Sequence, residues 1–130
     1  MIDRVDWLVP SRIILFEVSG QVMLQDVRDL TRDIRAMIEA DDQTNFVDVF
    51  LDVNRVTGYH PETMNIGKLF GAAKPQKRVR WNIIINPHPN PILDFVVRTV
   101  CQLFKTQLRI VPTLDEAVTF IQTKTAPEKS

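Results

Sequence analysis

The chain has 130 residues, 45% of them hydrophobic and 25% charged, and its 16 basic and 16 acidic side chains cancel to a formal net charge of zero. That is the length and composition of one globular domain with a core of its own. The balance argues against a nucleic-acid binder or a polybasic membrane anchor, both of which carry a basic surplus. No apolar run approaches the roughly 20 residues that span a bilayer, and no basic-then-apolar leader opens the chain. The single cysteine, Cys101, excludes an intrachain disulfide and reads as a small core hydrophobe in a reducing cytoplasm.

Arg4 to Val9 alternates and contains Trp7, and Pro10-Ser11 breaks it. Arg12 to Val18 (RIILFEV) is a near-continuous apolar run. The two segments read as a hairpin, with the first strand at an edge and the second buried on both faces. Ser19-Gly20 is expected to end the second strand. Val22 to Ala40 is a predicted helix. Met23, Val27, Leu30, Ile34, Met37 and Ile38 fall within a stripe of about 100° that faces the core. Arg28, Thr31, Arg32, Arg35 and Glu39 take the other side, and Asp41 to Asn45 is a polar connection.

Phe46 to Val53 is the third strand, followed by an irregular connection over Asn54 to His60. Pro61 suits the first helical position, where its missing N–H costs nothing. That helix is expected to reach about Phe70 and to end at Gly71. Lys74, Lys77, Arg78 and Arg80 form a basic loop into the fourth strand, Val79 to Asn86. Pro87, Pro89 and Pro91 stiffen the next connection. Asn90 is the expected N-cap of a helix from Pro91 to about Lys105. Leu108 to Val111 is a short fifth strand. Thr113 and Glu116 form a capping box, and the last helix reaches about Gln122. Residues 1–122 then make the domain and residues 123–130 a polar tail.

The order β-β-α-β-α-β-α-β-α defines an α/β fold: a single-domain, mixed, mostly parallel five-stranded sheet with flanking helices. Three stretches carry a family resemblance: Val18-Ser19-Gly20 before the first helix, FLDVNRVTG from Phe50 to Gly58, and LRIVPTLDEAVTFI from Leu108 to Ile121. With them the chain resembles the STAS superfamily over nearly its whole length, and most closely its SpoIIAA-like (STAS/Sec14-like) branch. The resemblance implies the SpoIIAA-like fold and a non-enzymatic regulatory role without cofactors. Anti-sigma-factor antagonists of this family bind a protein kinase or an anti-sigma factor. In them a serine or threonine after the third strand is phosphorylated, within an Asp-Ser-Ser/Thr-Gly pattern. Counted from Asp52, that window holds His60-Pro61-Glu62-Thr63. The serine and glycine are absent, and Thr63 is the phosphorylation candidate. The Sec14-like side implies instead a lipid or other small hydrophobic ligand.

The segment Asn54 to Thr63 leaves the carboxyl end of a central strand, where open α/β sheets bind ligands. It precedes a helix N-terminus, whose free N–H groups favour anions. Thr57, Tyr59, His60, Glu62 and Thr63 are therefore candidate binding residues, although Thr63 reads first as an ordinary first-turn residue. His60 and His88 leave the same edge of the sheet. No HxxxH, HExxH or CxxC spacing supports a metal, and no glycine-rich phosphate loop is present. The basic loop reads as a solvated connection.

The helix from Pro91 carries Ile92, Leu93, Phe95, Val96, Val97, Val100, Cys101, Leu103 and Phe104 over an arc of roughly 240°. That is more than one side on a sheet can hide. The surplus requires a neighbouring helix, an apolar cavity or a subunit contact. Phe95, Val97 and Phe104 are thus candidates for contact with a protein partner, a homodimer mate or an apolar ligand.

Overall fold

In the computed structural model, residues 1–41, 46–72, 77–88 and 91–125 are described, with backbone alone for Ile66, Phe70, Ile92, Leu93, Val96, Val100, Leu103, Phe104 and Thr125. Five strands form one sheet: β1 (Ile2–Val9), β2 (Ile13–Val22), β3 (Val47–Tyr59), β4 (Val79–Ile85) and β5 (Gln107–Val111). They lie in chain order, β1 antiparallel to β2 and each later pair parallel. The helices are α1 (Leu24–Ala40), α2 (Ile66–Ala72), α3 (Pro91–Phe104) and α4 (Leu114–Thr125), with a 3-10 turn at Pro61–Met64. The architecture is the expected mixed, mostly parallel sheet.

Strand order explains the layers. From β2 to β5 every crossover advances in one direction, and crossovers of one hand then share one face. Accordingly α1 packs over Ile14, Phe16, Val47 and Val49. Val97 of α3 packs on the same face, with Val53 and Ile84. The short α2 lies against α1 through Leu24, Leu69 and Ala72. Only α4 follows the last strand, and it covers the other face through Ala117 and Ile121 over Ile13, Leu15, Phe50 and Ile83. Phe16, Phe50, Ile14, Ile83 and Val47 are sealed completely.

Among the described residues one charge belongs to this core. Asp48 is 2% exposed. Its carboxylate accepts from Arg80 Nη2 at 2.9 Å and from the Trp81 backbone N–H at 3.1 Å. The reason is a bulge: Val47 pairs with Val79 but Val49 pairs with Asn82, so Arg80 and Trp81 together face Asp48. The displaced Trp81 N–H takes the carboxylate in place of a ladder carbonyl. Arg80 is half-buried, and so is a second arginine of the basic loop. Arg78 donates to the Ile38 carbonyl at 3.1 Å and to Asp41 at 3.1 Å, closing the C-terminus of α1. The solvated reading of that loop is corrected for these two residues.

Several other expectations change. β2 does not stop at Ser19-Gly20 but runs to Val22, because Gly20 adopts φ +69° and lets the strand bulge and continue. The first helix therefore starts at Leu24, and Leu24 is buried while Met23, at the N-cap, is 40% exposed. Thr31, expected in solvent, donates to the Ala72 carbonyl at 3.1 Å and joins α1 to α2. The helix expected from Pro61 to Phe70 is two pieces. Asn65 separates them, because its Oδ1 caps the Lys68 N–H at 3.0 Å, and Gly71 lies inside the second piece.

At the last helix Thr113 Oγ1 accepts from the Glu116 N–H at 3.1 Å, and α4 continues past Gln122. Cys101 is half-buried, not sealed in the core, and burial raises its thiol pKa. Asn90 as N-cap, Lys74, most of the polar connection after Asp41, and the end of the tail lie outside the described residues.

Candidate functional site

β3 outruns its neighbour. Its last pairing with β4 is Asp52 to Ile85, yet it stays paired with β2 to Tyr59 opposite Val22. The residues expected to be irregular are thus a projecting two-stranded ribbon. Two register shifts bend it, at Glu17/Ser19 and at Gly20/Gln21. Bulges of this kind re-aim side chains at the rim of a sheet. Asp52 Oδ1 accepts from the Asn54 N–H at 2.9 Å, fixing the first bend. Arg55 reaches back to Asp3 on β1 at 3.2 Å.

The ribbon ends in the 3-10 turn. The His60 N–H donates to the Val22 carbonyl at 2.8 Å as the last rung. Its Nδ1 accepts from the Glu62 N–H at 3.1 Å, making His60 the N-cap with Pro61 behind it. The His60 carbonyl in turn accepts both the Thr63 N–H at 2.8 Å and the Thr63 hydroxyl at 2.6 Å. Thr63 is only 4% exposed. Glu62 is exposed, and its carboxylate lies 2.8 Å from Lys68 Nζ, which holds its pKa below the ordinary value.

Beside the free edge of β3 lies a cleft of about 260 Å³, lined by Val53 to Tyr59 except Arg55, and by Asn86, His88 and Pro91. Asn86 Oδ1 accepts the His88 backbone N–H at 3.0 Å and shapes the far wall. Tyr59 packs against the cluster of Val53 and Ile84, and burial pushes its hydroxyl pKa up to about 12.

The structure therefore brings Thr57, Tyr59 and His88 to one cleft. It places His60, Glu62 and Thr63 on the adjoining turn. His60 is not among the cleft residues, so His88 lines this cleft without it. Among the described residues no group of three His, Cys, Asp or Glu side chains could hold a metal. Val97 faces the sheet, whereas Phe95 is 68% exposed. The side chain of Phe104 lies outside the described residues.

Sequence reasoning missed Asp48 with Arg80, and also the strand character of Thr57 to Tyr59. A lone aspartate inside the apolar run VDVF was the available signal for the first. For the second there was only the β-branched pair Val56-Thr57.

The fold is SpoIIAA-like. No protein-family model matches the chain, and no curated protein matches its sequence significantly. Solved structures do share its shape. One is an uncharacterised protein of the DUF3478 family from Shewanella loihica PV-4, with a SpoIIAA-like fold. Its TM-score is 0.56 at 12% identity, over 92% of this chain and 91% of that one. Another is the anti-sigma factor antagonist SpoIIAA in its unphosphorylated form, with TM-score 0.55 at 15% identity over 95% of this chain and 97% of that one. Both matches cover more than nine-tenths of this chain.

Proposed function

We propose that this chain is a non-enzymatic, STAS-like regulatory module of bacterial signalling that works in the cytoplasm by binding another protein. The observation that carries the reading is the exposed Phe95 ring, 68% open to solvent. It lies one helical turn from Pro91, which lines the cleft, and so on the same side of α3. A single exposed ring is ordinary on a monomer, but its place beside a partly polar cleft matches the aromatic anchors with polar surroundings that protein interfaces use. The partner surface is then Thr57, Tyr59, His60 and Glu62 with Phe95. SpoIIAA, which shares the fold, is named as an antagonist of an anti-sigma factor, and this supports a protein partner.

Thr63 stays the modification candidate. Its burial and its bond to the His60 carbonyl mean that a kinase acts only after the 3-10 turn opens. Binding of a lipid or small apolar ligand is the weaker reading. The cleft of about 260 Å³ is open and partly polar, below the ~300–1,000 Å³ of ordinary ligand sites.

The test is capture of partners from the source cells with wild-type, Phe95→Asp and Glu62→Lys baits, followed by titration of the purified partner. Saturable binding by wild type and at least about tenfold weaker binding by Phe95→Asp, roughly 1.4 kcal/mol, is the expected result. No saturable protein partner, or binding indifferent to both substitutions, refutes it. A copurified apolar compound in native mass spectrometry would favour the ligand reading.

A further inference from the structure

β1 is an edge strand that pairs with β2 alone among the described residues. Charges on such an edge ordinarily discourage a second chain from adding there. On β1 their order is selective instead. Val5 and Trp7 face the α1 side of the sheet, and Leu8 faces the α4 side. Alternation then puts Arg4 and Asp6 on the α4 side, where they are 47% and 59% exposed.

Consider a second copy adding antiparallel about a two-fold axis normal to the sheet. Like faces must meet, so the axis passes through a residue that pairs with its own copy. Centring on Arg4 sets arginine against arginine, and centring on Asp6 sets aspartate against aspartate. Centring on Val5 sets Arg4 against Asp6 of the partner copy twice over. Like charges directly opposite are unfavourable and opposite charges favourable. The charge order therefore rejects two registers and accepts the one between them.

The space on the α1 side fits this register. A groove of about 630 Å³ runs between β1 and α1, with Val5, Trp7 and Met37 among its lining residues. Its helix side carries Ala36 and Ala40, one turn apart, exposed and without bulk. Asp33 and Asp41 also line the groove, each already paired within the chain, with Arg32 at 3.2 Å and with Arg78 at 3.1 Å. β1 is bulged between Ile2 and Arg4 and between Trp7 and Val9, so regular pairing is confined to Arg4 to Asp6 of each copy, and Asp3, outside it, keeps its own counter-charge, Arg55, at 3.2 Å. Within its own chain Arg4 keeps Asp6 at 3.0 Å and Glu17 at 3.6 Å, so the paired strands would place these charges in an alternating square.

We propose that β1 pairs with β1 of a second copy, antiparallel and centred on Val5, joining two five-stranded sheets into one. The assembly is read on the isolated chain, so its failure leaves the partner reading above untouched.

Sedimentation velocity across about 1–100 μM reaches the micromolar end of interface affinities. It is expected to show a monomer–dimer equilibrium. Arg4→Glu and Asp6→Arg each weaken that equilibrium at least about tenfold by placing like charges opposite, and the double swap restores it to within about threefold. Both positions are exposed, and circular dichroism confirms that each variant folds. In a Cys101→Ser background, Val5→Cys dimers close an intermolecular disulfide, because facing residues sit within disulfide reach. A monomer throughout overturns the proposal, including one that accepts another protein's strand at this edge. So does a dimer indifferent to the single swaps, one not rescued by the double swap, or one that fails to crosslink at Val5.

Discussion

Replacing Asp48 by alanine removes the acceptor that holds the β3–β4 bulge together. Two groups lose their partner. The Trp81 N–H, 3.1 Å from the carboxylate, is left inside the sheet with no ladder carbonyl opposite it. Such a stranded donor costs about 1–3 kcal/mol. The Arg80 guanidinium also loses its contacts at 2.9 and 3.3 Å. Arg80 is 31% exposed, however, so it can turn to water, and its share is well below the 3–5 kcal/mol of a fully buried pair. The sum is about 2–4 kcal/mol, or on the order of 10 °C in Tm for a domain of this size. Asp48→Asn keeps an acceptor for Trp81 and loses the charge, so it costs less, about 1–2 kcal/mol. Urea unfolding followed by circular dichroism gives the values. In a double-mutant cycle with Arg80→Ala the combined loss falls short of the sum of the singles. An Asp48→Ala loss under about 0.5 kcal/mol, or additive singles, would refute the assignment of this carboxylate to the bulge.

Tyr59 is the only tyrosine in the chain, so its ionisation can be followed alone by absorbance near 295 nm. The folded midpoint is expected near 12 and the denatured one near 10. Because the folded pKa is the higher one, this contribution is complete below pH 10 and disappears as pH rises from about 10 to 12. A folded midpoint at 10 would mean that the ring is solvated. His60→Ala removes the cap on the 3-10 turn and costs about 0.5–2 kcal/mol, while His60→Asn retains most of it. Equal losses from the two variants would show that the imidazole nitrogen is not the cap.

How much of this was legible in the residues depends on the range of the interaction. Hydrophobic period and breakers are local, so the run of RIILFEV, the spacing of Leu30, Ile34 and Ile38, and Pro61 at a helical start were readable. The errors cluster where two segments far apart in sequence complete each other. β2 and β3 extend each other past the sheet, and neither Ser19-Gly20 nor Asn54 to Tyr59 signals this alone. Asp48 looks misplaced in an apolar strand until Arg80 and Trp81 come beside it. Thr31 looks like a surface residue until the carbonyl of Ala72 arrives. Thr57 and Tyr59 were recognisable as candidates from their place after a central strand. Their company, the cleft wall of Asn86, His88 and Pro91, was not.

By itself the sequence determined the fold class, the element order and the edge position of β1, because burial and period act within each segment. Tertiary structure alone decided which face each helix covers, where the ribbon ends and which hydroxyls and carboxylates are enclosed. The physical reason is that a buried polar group must be paired, and the partners of Asp48 come from a strand 32 and 33 residues away.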